Sequence, residues 1–463
     1  MPDDARVLVR QSFLQHLYGI DTERQRRYAL YRDYYDGEQA TKLTKRLRRV
    51  LQVKGDEEFR GNYCGIPVDA LAERLKVTGF NADDTLVETL SEWWKTNRMD
   101  GVQGDVHLSS IRDGDAFVIV EWNDEDEIPR FSMELAYDGS DGVKIHYSDE
   151  RRGVVAFASK RWVITNPTSD AGKVRRINLY YPDRIEKYIS NADEVGGDWE
   201  QYQDDDDPQW PIPWLRGDGS PRGVPIIHFA YRASGYNFGK SRISDIIPKQ
   251  NELNKAMIDV VGVADTSAFP ILWGTGDDFG NVEVGPGTFI QSDNADAKIG
   301  RIAPGDITGL LAYKNDIVVD IARISNTPLS RFQLTGHVAS EGTLKQQESG
   351  LVSDAESTQV YFGNSWEDVM KMGIKLTNDF GKGKLDEEQS IDTEWKPAAV
   401  RDETELITRL GVMSEKLNVP DSVLWRRAGL TEEEIEKAEK DPQYLEHRAM
   451  QGVGMLMNEE NRE

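Results

Sequence analysis

Asp113, Asp115 and Glu121 are the side chains whose type and spacing come nearest to metal chemistry in this 463-residue sequence. Asp115 and Glu121 lie an even number of positions apart in a strand-like run, so they share a face. Acids placed this way could hold a divalent ion in a nuclease. No lysine follows Glu121 to complete a nuclease-like pair, and the acids flank a turn. The run Asp204, Asp205, Asp206 and Asp207 reads as a solvated charge cluster. GTGDDFG, Gly274 to Gly280, has the outline of a phosphate loop but lacks the lysine, and no apolar helix follows it. Asp277 and Asp278 would repel a phosphate there, so the segment reads as a turn. The six histidines, His16, His107, His146, His228, His337 and His447, show no metal-ligand spacing and no HExxH pattern. Cys64 is the sole cysteine, which excludes an internal disulfide and a multi-cysteine zinc site. It reads as a small half-buried residue. Enzymatic chemistry finds no support in these residues, and neither a cofactor nor a metal is expected.

Composition narrows the class further. Hydrophobic residues make up 38% of the chain, enough to bury a core, and the length suits several domains. Mean hydropathy is -0.60, and 30% of residues are charged. No apolar run approaches the roughly 20 residues that cross a bilayer. The polar start MPDDARVLVRQ has no signal-peptide core, so synthesis in the cytoplasm and no membrane association are expected. Acidic side chains number 81 against 56 basic ones, a formal charge of -25. Such a chain is repelled by DNA at long range, whereas DNA-gripping proteins carry a basic stripe. Acidity fits an ordinary soluble protein, or a surface past which DNA slides without sticking.

The elements follow from periodicity. Asp21 to Val53 predicts two helices broken at Gly37, and its basic run Lys42, Lys45, Arg46, Arg48, Arg49 reads as a solvated helix face. Asn62 to Phe80 predicts a helix beginning near Pro67, and Thr85 to Asn97 another. From Asp113 the period changes to that of strands: Asp113 to Trp122, Val143 to Tyr147, Val154 to Ala158, Trp162 to Thr165 and Ile177 to Tyr181. Asn191 to Gly223 predicts an exposed loop, and Ile226 to Tyr231 a buried strand. Ser241 to Ala264 is helical, with Pro248 starting or kinking it. Pro270 to Gly305 carries short strand pieces at Ile271 to Trp273, Val282 to Val284 and Thr288 to Gln291. Asp306 to Ser325 is helical with Asp306 as N-cap, and Pro328 ends it. Thr343 to Phe380 predicts one long helix of about 55 Å. Val400 to Glu463 reads as short charged helices in a peripheral module.

Two helices bracketing a small β insertion make a stalk with a tip. The stretch RFQLTGHVASEG, Arg331 to Gly342, then joins two long helices with few hydrophobics and balanced charge, so it projects from the body. In these parts the sequence resembles the portal proteins of tailed bacteriophages, of the SPP type common among actinobacterial phages. NYCGIPVDALAERLKVTGF (Asn62 to Phe80), DGDAFVIVEW (Asp113 to Trp122), GKSRISDIIPKQNELNKAM (Gly239 to Met257) and SNTPLSRFQLTGHVASEGTLKQQESGLV (Ser325 to Val352) carry the likeness, in order. Relatives often have Pro-Ser-Gly at the foot of the long helix, where Ala339, Ser340, Glu341 and Gly342 stand here.

The resemblance implies an α+β portal fold. Residues 1–238 would form an α/β wing, 239–265 the first stem helix, 266–305 a small β-containing clip and 306–328 the second stem helix. Residues 329–342 would be the tunnel loop, 343–395 the long helix and the return to the wing, and 396–463 a helical crown. It also implies a homo-oligomeric ring, usually a dodecamer, at one capsid vertex of the virion, through which double-stranded DNA is packaged and ejected without sequence specificity. The implied partners are the terminase large subunit, the head-tail adaptor, and the major capsid and scaffolding proteins. The DNA-facing residues would be Arg331, Gln333, Thr335, Gly336, His337, Ser340, Glu341 and Lys345. Asp277, Asp278, Phe279 and Asn281 would face the motor and adaptor. The alternatives from other classes are a metal-dependent phage nuclease and a monomeric adaptor or scaffold.

Overall fold

Ala116, Phe117, Val118, Ile119 and Val120 are all buried, so the strand that carries them must be covered on both faces. In the computed structural model this strand is the middle one of a three-stranded sheet. The structure describes residues 12–14, 17, 22–39, 61–165, 173–190, 199–203, 209–233, 235, 237–268, 272–279, 291–302, 307–332 and 341–399. In the C-terminal part it describes 403–417, 419–428, 430, 435, 437, 438, 440–442 and 444. The chain forms two units, Met1–Ala398 and Ala399–Glu463.

The first unit mixes helix and sheet. Its elements in order are α1 (Thr22–Asp36), α2 (Gly65–Ala72), β1 (Val77–Asn81), α3 (Asp84–Thr96), α4 (Met99–Asp113), β2 (Asp115–Asn123), β3 (Ile128–Leu135) and β4 (Gly142–Tyr147). Then come β5 (Val155–Thr165), β6 (Lys173–Tyr180), β7 (Arg184–Ser190), β8 (Glu200–Gln201), β9 (Ile212–Pro213) and β10 (Ile226–Ala230). The last are α5 (Ile247–Ala268), β11 (Leu272–Thr275), β12 (Lys298–Arg301), α6 (Ile307–Ile324), α7 (Glu341–Phe380) and β13 (Asp392–Trp395).

β2 is the middle strand of the antiparallel sheet β10-β2-β3. Its even-numbered residues Ala116, Val118 and Val120 enter the main core with Trp93, Phe229, Phe362 and Trp366. Phe117 and Ile119 point the other way, onto Val143, Ile145, Ala158 and Tyr180 of the sheet built from β4 to β9. The far face of that second sheet buries Ile177, Leu179 and Tyr188 with Leu14, Leu17 and Trp199. Three apolar layers therefore alternate with the two sheets, and the central strand lies between the first two.

Several expected elements shift. Asn62 to Phe80 is not one helix: α2 ends at Ala72, and Val77–Asn81 pairs antiparallel with β13. That partner lies some 300 positions away, beyond the reach of local periodicity. The two short strands expected at Val154 to Ala158 and Trp162 to Thr165 are the single strand β5. β3, β7 and β12 add to the expected strands, and α4 adds to the expected helices. α4 buries Gln103, His107, Ser109, Ser110 and Asp113 beside Met99, Val106 and Ile111, so its inward face lacks an apolar stripe. β3 carries Pro129 and lies at a sheet edge, where a missing N–H does no harm. α5 begins at Ile247, not near Ser241, and Pro248 starts it instead of kinking it. Within Asn191 to Gly223, expected as exposed loop, β8 and β9 join the sheet, and Trp199 and Trp214 are buried. Residues 40–60, Asp204 to Asp207 and Asp306 lie outside the described residues. So do the strand pieces expected at Val282 to Val284 and at Thr288 to Gln291, apart from Gln291 itself.

In the second unit, α8 (Glu403–Leu417) packs against α9 (Asp421–Ala428). Trp425 meets the Tyr444 ring edge-on at 4.8 Å, and the Tyr444 hydroxyl donates to Asp421 at 2.6 Å. Among the described residues no helix is long and apolar enough to cross a membrane.

Candidate functional site

The stalk read from the sequence exists as a helical hairpin. Lys249, in the first turn of α5, pairs with Asp320 near the end of α6 at 3.1 Å, and the Tyr313 hydroxyl donates to Glu252 at 2.6 Å, so the helices run antiparallel. Leu253 and Ala256 of α5 are buried with Ile317, Val318 and Ile321 of α6 at the root of the hairpin. This burial fades away from the body: Leu311 is 41% exposed and Tyr313 46%.

At the far end of the hairpin, β11 and β12 form a two-stranded ribbon. Trp273 stands across from Gly300, and Gly274 across from Ile299. A Cβ on Gly300 would come within 2.7 Å of the Trp273 indole, and one on Gly274 would run into the Phe279 ring. Neighbouring strand positions face opposite sides, so each face of the ribbon has one aromatic ring laid over one glycine. Asp277 and Asp278 sit in the exposed turn after β11. Asp277 accepts hydrogen bonds from the Ser292 hydroxyl and the Asp278 N–H. Trp273 and Ile299 remain about half exposed on the ribbon.

The root of the hairpin is held by polar side chains on its inner face. Gln250 donates to the Gly61 carbonyl at 2.7 Å and accepts from the Tyr63 N–H at 3.0 Å, while Asn254 accepts from the Gly61 N–H at 3.1 Å. Arg242 has a side chain 1% exposed. It donates to the Ser325 carbonyl at the end of α6, to the Tyr231 hydroxyl and to the Asp354 carboxylate on α7. Arg232 reaches the same carboxylate at 2.8 Å. One acid thus ties the end of β10, the approach to α5 and the long helix together, and Arg242 adds the end of α6. None of these joints was singled out from residue type. Their signal was a polar residue on an apolar helical stripe, and Gln250 and Asn254 stand inside the "IIP-Q-LN" stretch that carries the resemblance.

Of the residues expected to face DNA, Arg331 closes a short 3-10 helix, Leu329–Arg331, and pairs with Glu73 at 2.8 Å. Gln333, Thr335, Gly336, His337 and Ser340 lie outside the described residues. Glu341 is the first residue of α7 and Lys345 lies in its first turns. α7 runs 40 residues, about 60 Å. Of the residues expected to face the motor and adaptor, Asp277, Asp278 and Phe279 are together on the ribbon, and Asn281 lies outside the described residues.

The acids weighed as metal ligands are engaged elsewhere. Asp115 is fully buried and accepts from Tyr28 at 2.6 Å, from His228 Nε2 at 2.8 Å and from the Gly239 N–H at 2.7 Å. Burial alone would push its carboxyl up, but the hydrogen bonds from His228, Tyr28 and Gly239 hold it below the ordinary value. Asp113 pairs with Arg32 at 3.0 Å and Arg112 at 2.8 Å. Glu121 is exposed, opposite Arg130. Among the described residues no group of three or more His, Cys, Asp or Glu is arranged to hold a metal. Cys64 is fully buried, more than the half-burial expected, and burial pushes its thiol up to about 12.

Residues 14–446 match the family described as phage portal protein, SPP1 Gp6-like. The portal protein of Mycobacterium phage L5 is 21% identical over 378 residues, covering 74% of this chain and 70% of the phage protein. With a family match spanning the hairpin, its ribbon, the long helix and both sheets, the chain belongs to the phage portal protein family.

Proposed function

We propose that copies of this chain form a ring, a dodecamer as the family resemblance implies, at one vertex of the capsid. Double-stranded DNA enters through the ring during packaging and leaves through it during ejection. The chain's part is structural. Residues 239–265 and 306–328 are the stem, 266–305 the clip that meets the terminase large subunit and later the head-tail adaptor, and 329–342 the lip nearest the DNA. The wing comprises 1–238 with 343–395 and contacts capsid and scaffolding proteins, and 396–463 is the crown.

One observation carries the reading. The distal half of the α5–α6 hairpin leaves Leu311 and Tyr313 about half exposed, and the ribbon beyond it adds Trp273, Ile299 and Ile302. A two-stranded ribbon of four residues per strand is marginal alone in water. A hairpin of this kind is stabilised when a neighbouring copy covers its sides, and repeated head-to-tail contact closes into a ring. The charge of -25 suits the passage of a polyanion, because a net acidic chain repels phosphate at long range instead of gripping it.

Negative-stain microscopy and light scattering of the purified full chain test the proposal. Rings with a central hole are expected. The pair Leu311→Glu and Ile302→Glu should give folded monomers, since both side chains are exposed in the single chain. Isolated globules from the unsubstituted protein, in the presence of scaffold and capsid partners as well as alone, would refute it.

A further inference from the structure

The two flanks of segment 333–340 are held by two consecutive residues at the end of α2. On the entering side, Arg331 donates to Glu73 at 2.8 Å, and the Phe332 ring stacks on Tyr63 with centroids 6.2 Å apart and planes 7° from parallel. On the leaving side, Glu348 of α7 pairs with Arg74 at 3.2 Å. Arg74 is itself anchored by donating to the Ala398 carbonyl at 2.6 Å. The flanks also pass close to one another: the Asn326 side chain lies 3.6 Å from where a Cβ on Gly350 would stand. Asn326 has φ 48°, the left-handed region that asparagine tolerates.

The signs of the four charges matter. The entering flank is basic and meets an acid, and the leaving flank is acidic and meets a base. Exchanging the two flanks on α2 would set like charges together, so the arrangement specifies one seating and penalises the other. The two pairs also differ in strength. Arg74 is 8% exposed and Glu348 32%, so that pair is the less exposed to water. Arg331 and Glu73 are 41% and 55% exposed, and such a pair is weak and screened by salt.

We infer that Glu73 and Arg74 are positioning residues for the two flanks: Arg74 fixes the leaving one, and Glu73 holds the entering one by a contact that salt or a competing anion releases. The inference rests on the proposal that residues 329–342 line the DNA path.

Ser330 and Ser349 are both exposed and lie on opposite flanks. Cys64 is buried with a thiol pushed up to about 12 and stays unlabelled. The full chain carrying Ser330→Cys and Ser349→Cys, spin-labelled and diluted with unlabelled copies, reports the distance between the flanks. One narrow distance is expected at low salt. Arg74→Gln or Glu348→Gln should broaden it at all salt concentrations, and Glu73→Gln should broaden it as high salt does. The swap Glu73→Arg with Arg331→Glu should restore the narrow distance, which a merely structural loss would not. Glu348→Gln leaves α2 intact, so its effect cannot come from unfolding that helix. Distances unchanged in all three neutralised variants would overturn the clamp. A lost narrow distance with DNA packaging unaltered would support the clamp and overturn the placing of this segment on the DNA path.

Discussion

The indole N–H of Trp366 donates to Nε2 of His107 at 2.9 Å, across 259 positions of sequence. An indole nitrogen only donates, so Nε2 carries no proton. The ring proton sits on Nδ1 and is donated to the Leu75 carbonyl at 3.1 Å. The fully buried imidazole stacks on Phe362 with centroids 5.2 Å apart. A neutral histidine of one tautomer therefore joins α4, the approach to β1 and α7.

Acid should weaken the fold through this residue. Burial lowers the His107 imidazole from 6.5 to about 4. The unfolded chain binds a proton as pH falls through 6.5, and the folded chain does not until about 4. The contribution is complete above 6.5 and is lost across that window, about 3 kcal/mol for a depression of this size. His146, lowered to about 3 by burial and by Lys144, acts in the same direction. Urea unfolding of the full chain from neutral pH down to about pH 4.5 measures the loss. His107→Gln should lower stability at neutral pH and flatten the slope, and an equal slope in the variant would count against the assignment.

Asp354 serves two arginines and the Tyr231 hydroxyl. Asp354→Asn should destabilise the chain by about 3 kcal/mol, because it leaves the buried Arg242 charge without its counter-ion. Arg242→Met with Asp354→Leu should recover part of that loss. Thermal unfolding of the single and double variants checks the order.

Gly239→Ala should be among the worst tolerated small substitutions. A Cβ there would overlap the Gly114 carbonyl oxygen and lie 2.7 Å from that of Tyr231. The backbone has to move, at a cost of about 3 kcal/mol or more. Gly104→Ala, in the interior of α4, is the contrast, since nothing lies within 4 Å of the added atom. In a helix interior it should stabilise by about 0.5–1 kcal/mol. Melting temperatures of the two variants should move in opposite directions.

Removing the ring over the ribbon glycine should act locally. With Trp273→Ala, amide exchange at residues 272–275 and 298–301 should speed up about fivefold, the equivalent of an aromatic contact of about 1 kcal/mol. The melting temperature of the body should not change. Protection equal to that of the parent chain would mean that the indole does not hold the ribbon.

Much of this architecture was readable in advance because it rests on local patterns. The long helix declares itself through Leu351, Ala355, Phe362, Trp366 and Val369, all buried on one stripe. The hairpin does so through Leu253, Ile317, Val318 and Ile321. What escaped depends on distant partners. The strand at Val77–Asn81 exists because Asp392–Trp395 lies beside it, and α4 turns polar residues inward because Val77, Leu75 and Phe229 offer them backbone partners. The candidate site divides the same way. Asp277, Asp278 and Phe279 share the ribbon, as their spacing around a turn indicated. Arg331 was singled out by its place beside the lip, but its partner Glu73 comes from a helix 258 positions earlier.

The contact of Gly114 with Gly239 bears on how force moves through the molecule. The Gly239 N–H is bonded to Asp115, the first residue of the central strand, and the Lys240 N–H to the Tyr231 carbonyl. The approach to the hairpin is thus bonded directly to the central strand and to the end of β10. A push or twist delivered at the ribbon would travel along the two helices as along a strut and load the sheet directly. A load applied at the ribbon would be felt in the sheet of the same subunit.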